Sequence, residues 1–305
     1  MCSSDLGTIG AGNLVVGSGT VFDISQANVG ARVIQLNGAA NGTIALGSKT
    51  LTLGFGSSFT DWAGTITDGG IAGGTGGRVV ISAPNGAVRY FNATSYTGGT
   101  TVAAGSFELV GNGALYSGGA VAVNGGALFN ITGLTGAGTT IGDLSGAGAV
   151  ALGAKSLTLG TANSTAFSGT ISGAGGSIIK NGSGKFTLSG ANSYTGATAI
   201  GQNGKLALSG SGSIALSSGL ANNGVFDIAA TDRGAEVRSM SGSGSVLLGG
   251  QTLTLTGAND TFAGVIQGSG GLAIANGTEV LSGANTYTDR KSTRLNSSHL
   301  GISYA

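Results

Sequence analysis

Apolar and small polar residues alternate along the chain in short runs, and Gly or Asn closes nearly every run. Lys185-Phe186-Thr187-Leu188-Ser189-Gly190 and Lys205-Leu206-Ala207-Leu208-Ser209-Gly210 are plain examples. A period of two over so few residues predicts half-buried strands. Gly and Asn at the ends predict tight corners, because both enter the left-handed backbone region that other residues avoid. No 3.6-residue period extends beyond a turn or two, so no crossover helix is expected. Many short strands joined by corners suit a coil in which each turn stacks on the last. The pattern therefore predicts an all-β chain, a right-handed single-stranded parallel β-helix (solenoid). At roughly 20 residues per turn, residues 7–288 make roughly 13 coils.

A longer period overlies the short one. Val21-Phe22-Asp23-Ile24 returns as Leu128-Phe129-Asn130-Ile131 and Val225-Phe226-Asp227-Ile228. Lys49-Thr50-Leu51-Thr52-Leu53 returns as Lys155-Ser156-Leu157-Thr158-Leu159 and Gln251-Thr252-Leu253-Thr254-Leu255. Ser95-Tyr96-Thr97-Gly98 returns as Ser193-Tyr194-Thr195-Gly196 and, in part, Thr286-Tyr287-Thr288. Leu157 and Leu253 stand 96 residues apart. If that period holds five coils, Leu157 and Leu253 share one side of the helix, as do Tyr194 and Tyr287. The first copy carries extra residues between Thr67 and Gly77. Asp68–Gly76 is expected to protrude at a corner, with Trp62 and Pro84 near its base.

Composition narrows the class. Gly supplies 63 of 305 residues and Pro one, without a strict three-residue period, so collagen is excluded. The recurrent Val, Ile, Leu and Thr argue against disorder. A net charge of +1 offers no basic stripe for nucleic acid. No run is long and apolar enough for a membrane helix. The two ends look foreign. Residues 1–5 can be encoded by DNA whose opposite strand encodes Asp289-Arg290-Lys291-Ser292-Thr293, and both ends resemble translated sequencing adapter. Residues 1–6 and 289–305 are accordingly expected to be artefactual and 7–288 a parallel β-helix fragment. Setting the ends aside removes the one Cys (Cys2) and the one His (His299) and leaves ten basic and ten acidic residues.

Ile178–Ile200 carries the most specific pattern. It resembles the autotransporter-associated β-strand repeat, a passenger-associated transport repeat, through Gly182, Gly184, Thr187, Leu188, Gly190, Asn192, Tyr194, Gly196 and Thr198. Leu272–Thr288 matches again, and Val79–Val102 is a degenerate copy with Arg89-Tyr90-Phe91 at the strand end. The resemblance implies a passenger exported across the outer membrane of a Gram-negative bacterium, at the cell surface or secreted. It implies a β-barrel translocator C-terminal to Thr288 as partner. A Cys-free chain suits export, because no periplasmic disulfide can trap it.

The chain reads as non-catalytic. Residues 7–288 lack the Cys and His of nucleophile systems and of zinc sites. No cofactor, no metal and no nucleic-acid partner is expected. The tightest charged cluster is Asp227, Asp232 and Glu236 with Arg233 and Arg238. It is read as a solvated corner, against a glycosidase-like carboxylate pair. Asp23 and Asp227 recur, but the middle copy has Asn130, a swap that a turn role tolerates and a catalytic role does not. The repeat Tyr is expected to pack beside a corner with its hydroxyl in water. The leading function is a stalk that aids export and presents the passenger. The alternatives are a β-helix enzyme acting on polysaccharide, or an adhesin for a host or cell-surface glycan or protein.

Overall fold

The computed structural model describes residues 12–54 and 60–288; residues 1–6 and 289–305, expected to be foreign, lie outside that range. No helix occurs among the described residues. The described residues form a parallel β-solenoid of about 13 turns. It divides into two compact units between Ala151 and Leu152.

In the first unit three columns of parallel strands form the walls. One column stacks Asn13–Val16, Gln35–Gly38, Thr60–Trp62 and then the second halves of Arg78–Tyr90 and Thr100–Gly111. It continues through Leu128–Leu134 to Ala149–Ala151. A second stacks Val21–Asp23, Thr43–Ala45 and Thr65–Thr67. The third runs from Ala31–Val33 through Thr50–Leu53 to the first halves of the two long strands, then Val121–Val123 and Leu144–Gly146. Alternation decides what lies inside. Tyr90 meets Phe107 edge to face at 4.8 Å between ring centroids, and Phe107 stacks on Phe129 at 5.7 Å. All three rings are buried.

The second unit repeats the scheme. Phe186, Leu206, Phe226, Val246 and Ile266 are successive register partners, 20 residues apart at every step, and all are buried. The neighbouring column runs Leu157, Ile178, Thr198, Leu220, Met240. A further column stacks Ala235–Val237, Leu253–Leu255 and Leu272–Ile274.

These registers correct the expected relation between the two periods. Leu253 pairs with Ala235 and Leu272, not in the column of Leu157. Thr286 N–H donates to Ile266 O at 2.9 Å, which places Tyr287 beside the Phe186–Ile266 column. Ser193 N–H donates to Ile171 O at 2.8 Å, so Tyr194 stands one corner past that column. At 20–22 residues per turn, 96 residues make about four and two-thirds turns. Between its second and third copies the long repeat therefore steps back by one wall. Ladder pairing sets the coil length, and the longer period is not a multiple of it.

The Asp68–Gly77 segment contains no strand, five of its ten residues are exposed and Gly77 is buried. Its base differs from expectation. The Asp68 carboxylate accepts from Gly76 N at 3.2 Å, Gly77 N at 2.9 Å and Thr97 Oγ1 at 2.6 Å. Asp23 Oδ2 accepts from Ile71 N at 2.6 Å. Trp62 is instead interior, facing Gly38 and Gly64, and Pro84 belongs to the Arg78–Tyr90 strand.

Phe107→Ala, which empties the middle of the ring stack, should lower unfolding free energy by about 3–5 kcal/mol. Val15→Ala, at an exposed position, should stay within about 0.5 kcal/mol. Urea titration of both variants checks the contrast.

Candidate functional site

The residues of the Ile178–Ile200 pattern make one full turn, with Ile178 paired to Thr198, and the distinctive side chains of its Gly190–Thr198 part point inward. From Gly190 to Thr198 burial alternates, with Gly190, Asn192, Tyr194 and Thr198 buried, Gly196 half-buried, and Ala191, Ser193, Thr195 and Ala197 exposed. Asn192 Oδ1 accepts from Ile171 N at 2.9 Å in the preceding turn. Its Nδ2 donates to Gly190 O and to Ser213 O in the following turn, both at 3.0 Å. One amide thus ties three successive turns. The Tyr194 hydroxyl lies 2.7 Å from Thr198 Oγ1, which donates to Ser217 Oγ at 3.0 Å. Ser217 Oγ donates on to Gly196 O at 2.9 Å. Leu188 is an interior residue of its strand, and Thr187 is the half-buried residue before it.

Two expectations change here. The Tyr194 hydroxyl is not in water: the residue is 1% exposed, and burial pushes its phenol pKa up despite the opposing bond to Thr198. The motif glycines are not left-handed either. They are required by close approach. A Cβ on Gly182, Gly184 or Gly190 would meet the backbone oxygen of Thr161, Asn163 or Gly169 at 1.9 Å, and one on Gly196 would meet Gly176 O at 2.4 Å.

The other copies keep the same contacts. Tyr96 and Thr100 hydroxyls lie 2.6 Å apart, with Thr94 in the Asn position donating to Ala114 O at 3.1 Å. Asn285 Oδ1 accepts from Ile266 N at 2.9 Å, and its Nδ2 donates to Gly283 O at 3.0 Å. A Cβ on Gly283 would meet Gly264 O at 1.8 Å. Ser217 was not legible as part of this network, since it lies outside the repeated pattern.

The recurrent acidic position is a turn device in all three copies. Asp23, Asn130 and Asp227 each accept, through Oδ1, the N–H two residues on, at 2.8, 2.9 and 3.0 Å. Amide and carboxylate oxygens serve equally there. The charged cluster is a surface feature. Asp232, Arg233, Glu236 and Arg238 are exposed, and the first three line an open hollow of ≈ 440 Å³ with Ser211, Thr252 and Thr254. Asp227 is not among its walls. Among the described residues no group of three metal-binding side chains converges.

One buried carboxylate escaped the sequence reading. Glu279 is 1% exposed; Oε2 accepts from Ser239 Oγ at 3.4 Å, and Oε1 has no partner. Desolvation pushes its pKa up to about 7, the Asp260 charge adds to this, and hydrogen bonds from Asp260, Met240 and Ser239 oppose it.

Three segments match the passenger-associated-transport-repeat family: residues 91–109, 178–208 and 276–290. The matches contain the Tyr96, Tyr194 and Tyr287 copies of the pattern and are consistent with an autotransporter passenger; the repeat family is one that implies secretion or cell-surface export. No curated protein and no solved structure matches the chain.

Two outcomes follow from this geometry. Gly190→Ala should destabilise by about 1–3 kcal/mol, because the neighbouring turn must shift. Gly160→Ala, where a Cβ meets nothing within 4 Å, should be neutral or stabilise by up to about 1 kcal/mol. The Glu279 carboxyl has a folded pKa above its unfolded 4.5, so its folded form binds the proton more tightly. Its destabilising contribution is absent below pH 4.5, grows as pH rises and is complete above about 7. The thermal midpoint should therefore fall across that window, and Glu279→Gln should flatten the fall.

Proposed function

We propose that this chain is a non-catalytic structural segment of an autotransporter passenger, a stalk that aids export and holds the passenger at the cell surface. The observation that carries the reading is the inward direction of the repeat. Asn192, Tyr194 and Thr198 engage main chain and hydroxyls of the same and adjoining turns and leave small residues outside. A pattern kept for recognition would place its distinctive side chains on the surface. In this reading the partner is a β-barrel translocator C-terminal to the segment, and each completed turn on the far side of the membrane opposes backsliding of the exported chain. The stacked turns store that stability locally, since each turn contacts only its neighbours.

A second reading, adhesion to a surface glycan or protein, draws support from the open hollow at Asp232, Arg233 and Glu236. The two are separated by one experiment. The segment is produced within its full gene, with an epitope placed ahead of it, and surface epitope is quantified by antibody on intact cells. Replacing the segment by a flexible linker of equal length should strongly reduce surface epitope. Undiminished display would overturn the stalk reading. Loss of cell binding with display intact would favour adhesion.

A further inference from the structure

The chain contains nine Asn-Gly steps, at Asn37, Asn41, Asn85, Asn112, Asn124, Asn181, Asn203, Asn223 and Asn276. Each is chemically vulnerable, because a Gly nitrogen unshielded by a Cβ can attack the preceding side-chain amide. The attack needs a Gly N–H free of hydrogen bonds, an unengaged Asn amide and a backbone that can turn. The structure sorts the nine steps on these terms.

Hydrogen bonds hold five of the Gly nitrogens, Gly182 among them through Leu159 O at 3.4 Å. Gly42, Gly113 and Gly204 donate to Ala39 O, Val110 O and Gly201 O at 2.8–2.9 Å, and Gly224 donates to Asn222 Oδ1 at 3.2 Å. Asn112 and Asn223 also engage their side-chain oxygens, with Thr135 and Ser243. Gly182 and Gly277 are clamped against the preceding turn, where a Cβ on either would meet backbone oxygen at 1.9 Å. Gly38 ends the strand Gln35–Gly38 in register with Trp62, and Gly86 is half-buried in the irregular stretch between Ser82 and Ala87, where a Cβ on Gly105 of the next turn would meet its oxygen at 2.8 Å.

Asn124-Gly125 differs on every count. It opens the corner between Val121–Val123 and Leu128–Leu134, closed by Ala127 N–H donating to Asn124 O at 2.9 Å. Asn124, Gly125 and Gly126 are all exposed. The Gly125 N–H and the Asn124 side chain make no hydrogen bond among the described residues. A Cβ on Gly125 or Gly126 would meet nothing within 4 Å, and Gly126 has a φ of 82°. Two successive glycines in open space leave the peptide free to rotate into the attacking geometry.

We propose that Asn124 is a modification site at which the folded chain deamidates spontaneously. The Gly125 nitrogen attacks Asn124 Cγ, a C–N bond forms, and Nδ2 leaves as ammonia, carrying away the proton that the Gly125 nitrogen gives up. The product is a cyclic imide. Water then adds across one of its two C–N bonds and opens it to aspartate or isoaspartate. Either product replaces a neutral amide with a carboxylate in a chain whose formal net charge is +1. Isoaspartate also adds one methylene to the main chain, at a corner joining strands whose Val123 and Phe129 are fully buried.

The test ages the full chain, folded and in parallel unfolded in urea, at mildly alkaline pH. Peptides are then read by mass spectrometry for NH-to-O exchange and by chromatography for isoaspartate. In urea all nine steps should react at comparable rates. In the folded chain the Asn124 peptide should keep its unfolded rate, with those of Asn112, Asn203 and Asn223 slowed on the order of tenfold or more, since they react only through local opening. Asn124→Gln should abolish the leading product without shifting the thermal midpoint. An Asn124 peptide protected like the others, or a leading product that persists in Asn124→Gln, would overturn the assignment.

Discussion

Every feature of this chain depends on the hydrogen-bonded ladder between successive turns. Parallel strands pair at about 4.8 Å, and that spacing cannot stretch to admit a bulky corner. Wherever the chain crosses its predecessor away from a regular strand, something must satisfy the exposed main chain and something must be left out. Asn192 does the first, taking the place of a strand partner for Ile171 N and adding a side-chain bond to Ser213 O, which also accepts from Asn192 N at 3.1 Å. Gly190 and Gly196 do the second, since any side chain there would strike the backbone of the turn below. The repeat is a solution to crossing a corner at strand spacing.

This constraint also explains where polar groups are tolerated inside. Tyr194, Thr198 and Ser217 are all buried, and each hydroxyl has a partner in the same or the next turn. Buried hydroxyls so satisfied cost little, whereas unpaired ones cost a full desolvation penalty. Trp62 Nε1, Tyr90 Oη and Glu279 Oε1 are buried without a hydrogen-bond partner, and Glu279 accordingly prefers to hold a proton well above the usual carboxylate range.

Much of the fold was legible in the sequence because its period-two runs, as in Lys185–Leu188, match the burial they acquire. The turn role of Asp23, Asn130 and Asp227 was legible from their mutual replacement. Other features were hidden for physical reasons. Leu157 and Leu253 look equivalent in sequence, yet wall assignment depends on residues per turn, which pairing sets and local pattern does not record. The Tyr194 hydroxyl was placed in water because a corner was assumed to be a surface. The corner is instead extended and alternates like a strand. Gly182 and Gly190 look in sequence like left-handed corner residues, and only the neighbouring turn reveals that they are spacers.

The central claim is that Asn192 acts as a staple between turns, and amide hydrogen exchange tests it most directly. In the intact chain, the Ile171 amide should exchange only with opening of the surrounding turns, because its acceptor is the Asn192 side chain at 2.9 Å. In Asn192→Ala, that amide should lose protection on the order of tenfold or more, about 1.4 kcal/mol of local stability, while the Phe186–Ile266 column stays protected. Fast exchange of the Ile171 amide in the intact chain, or unchanged protection in the variant, would contradict the account.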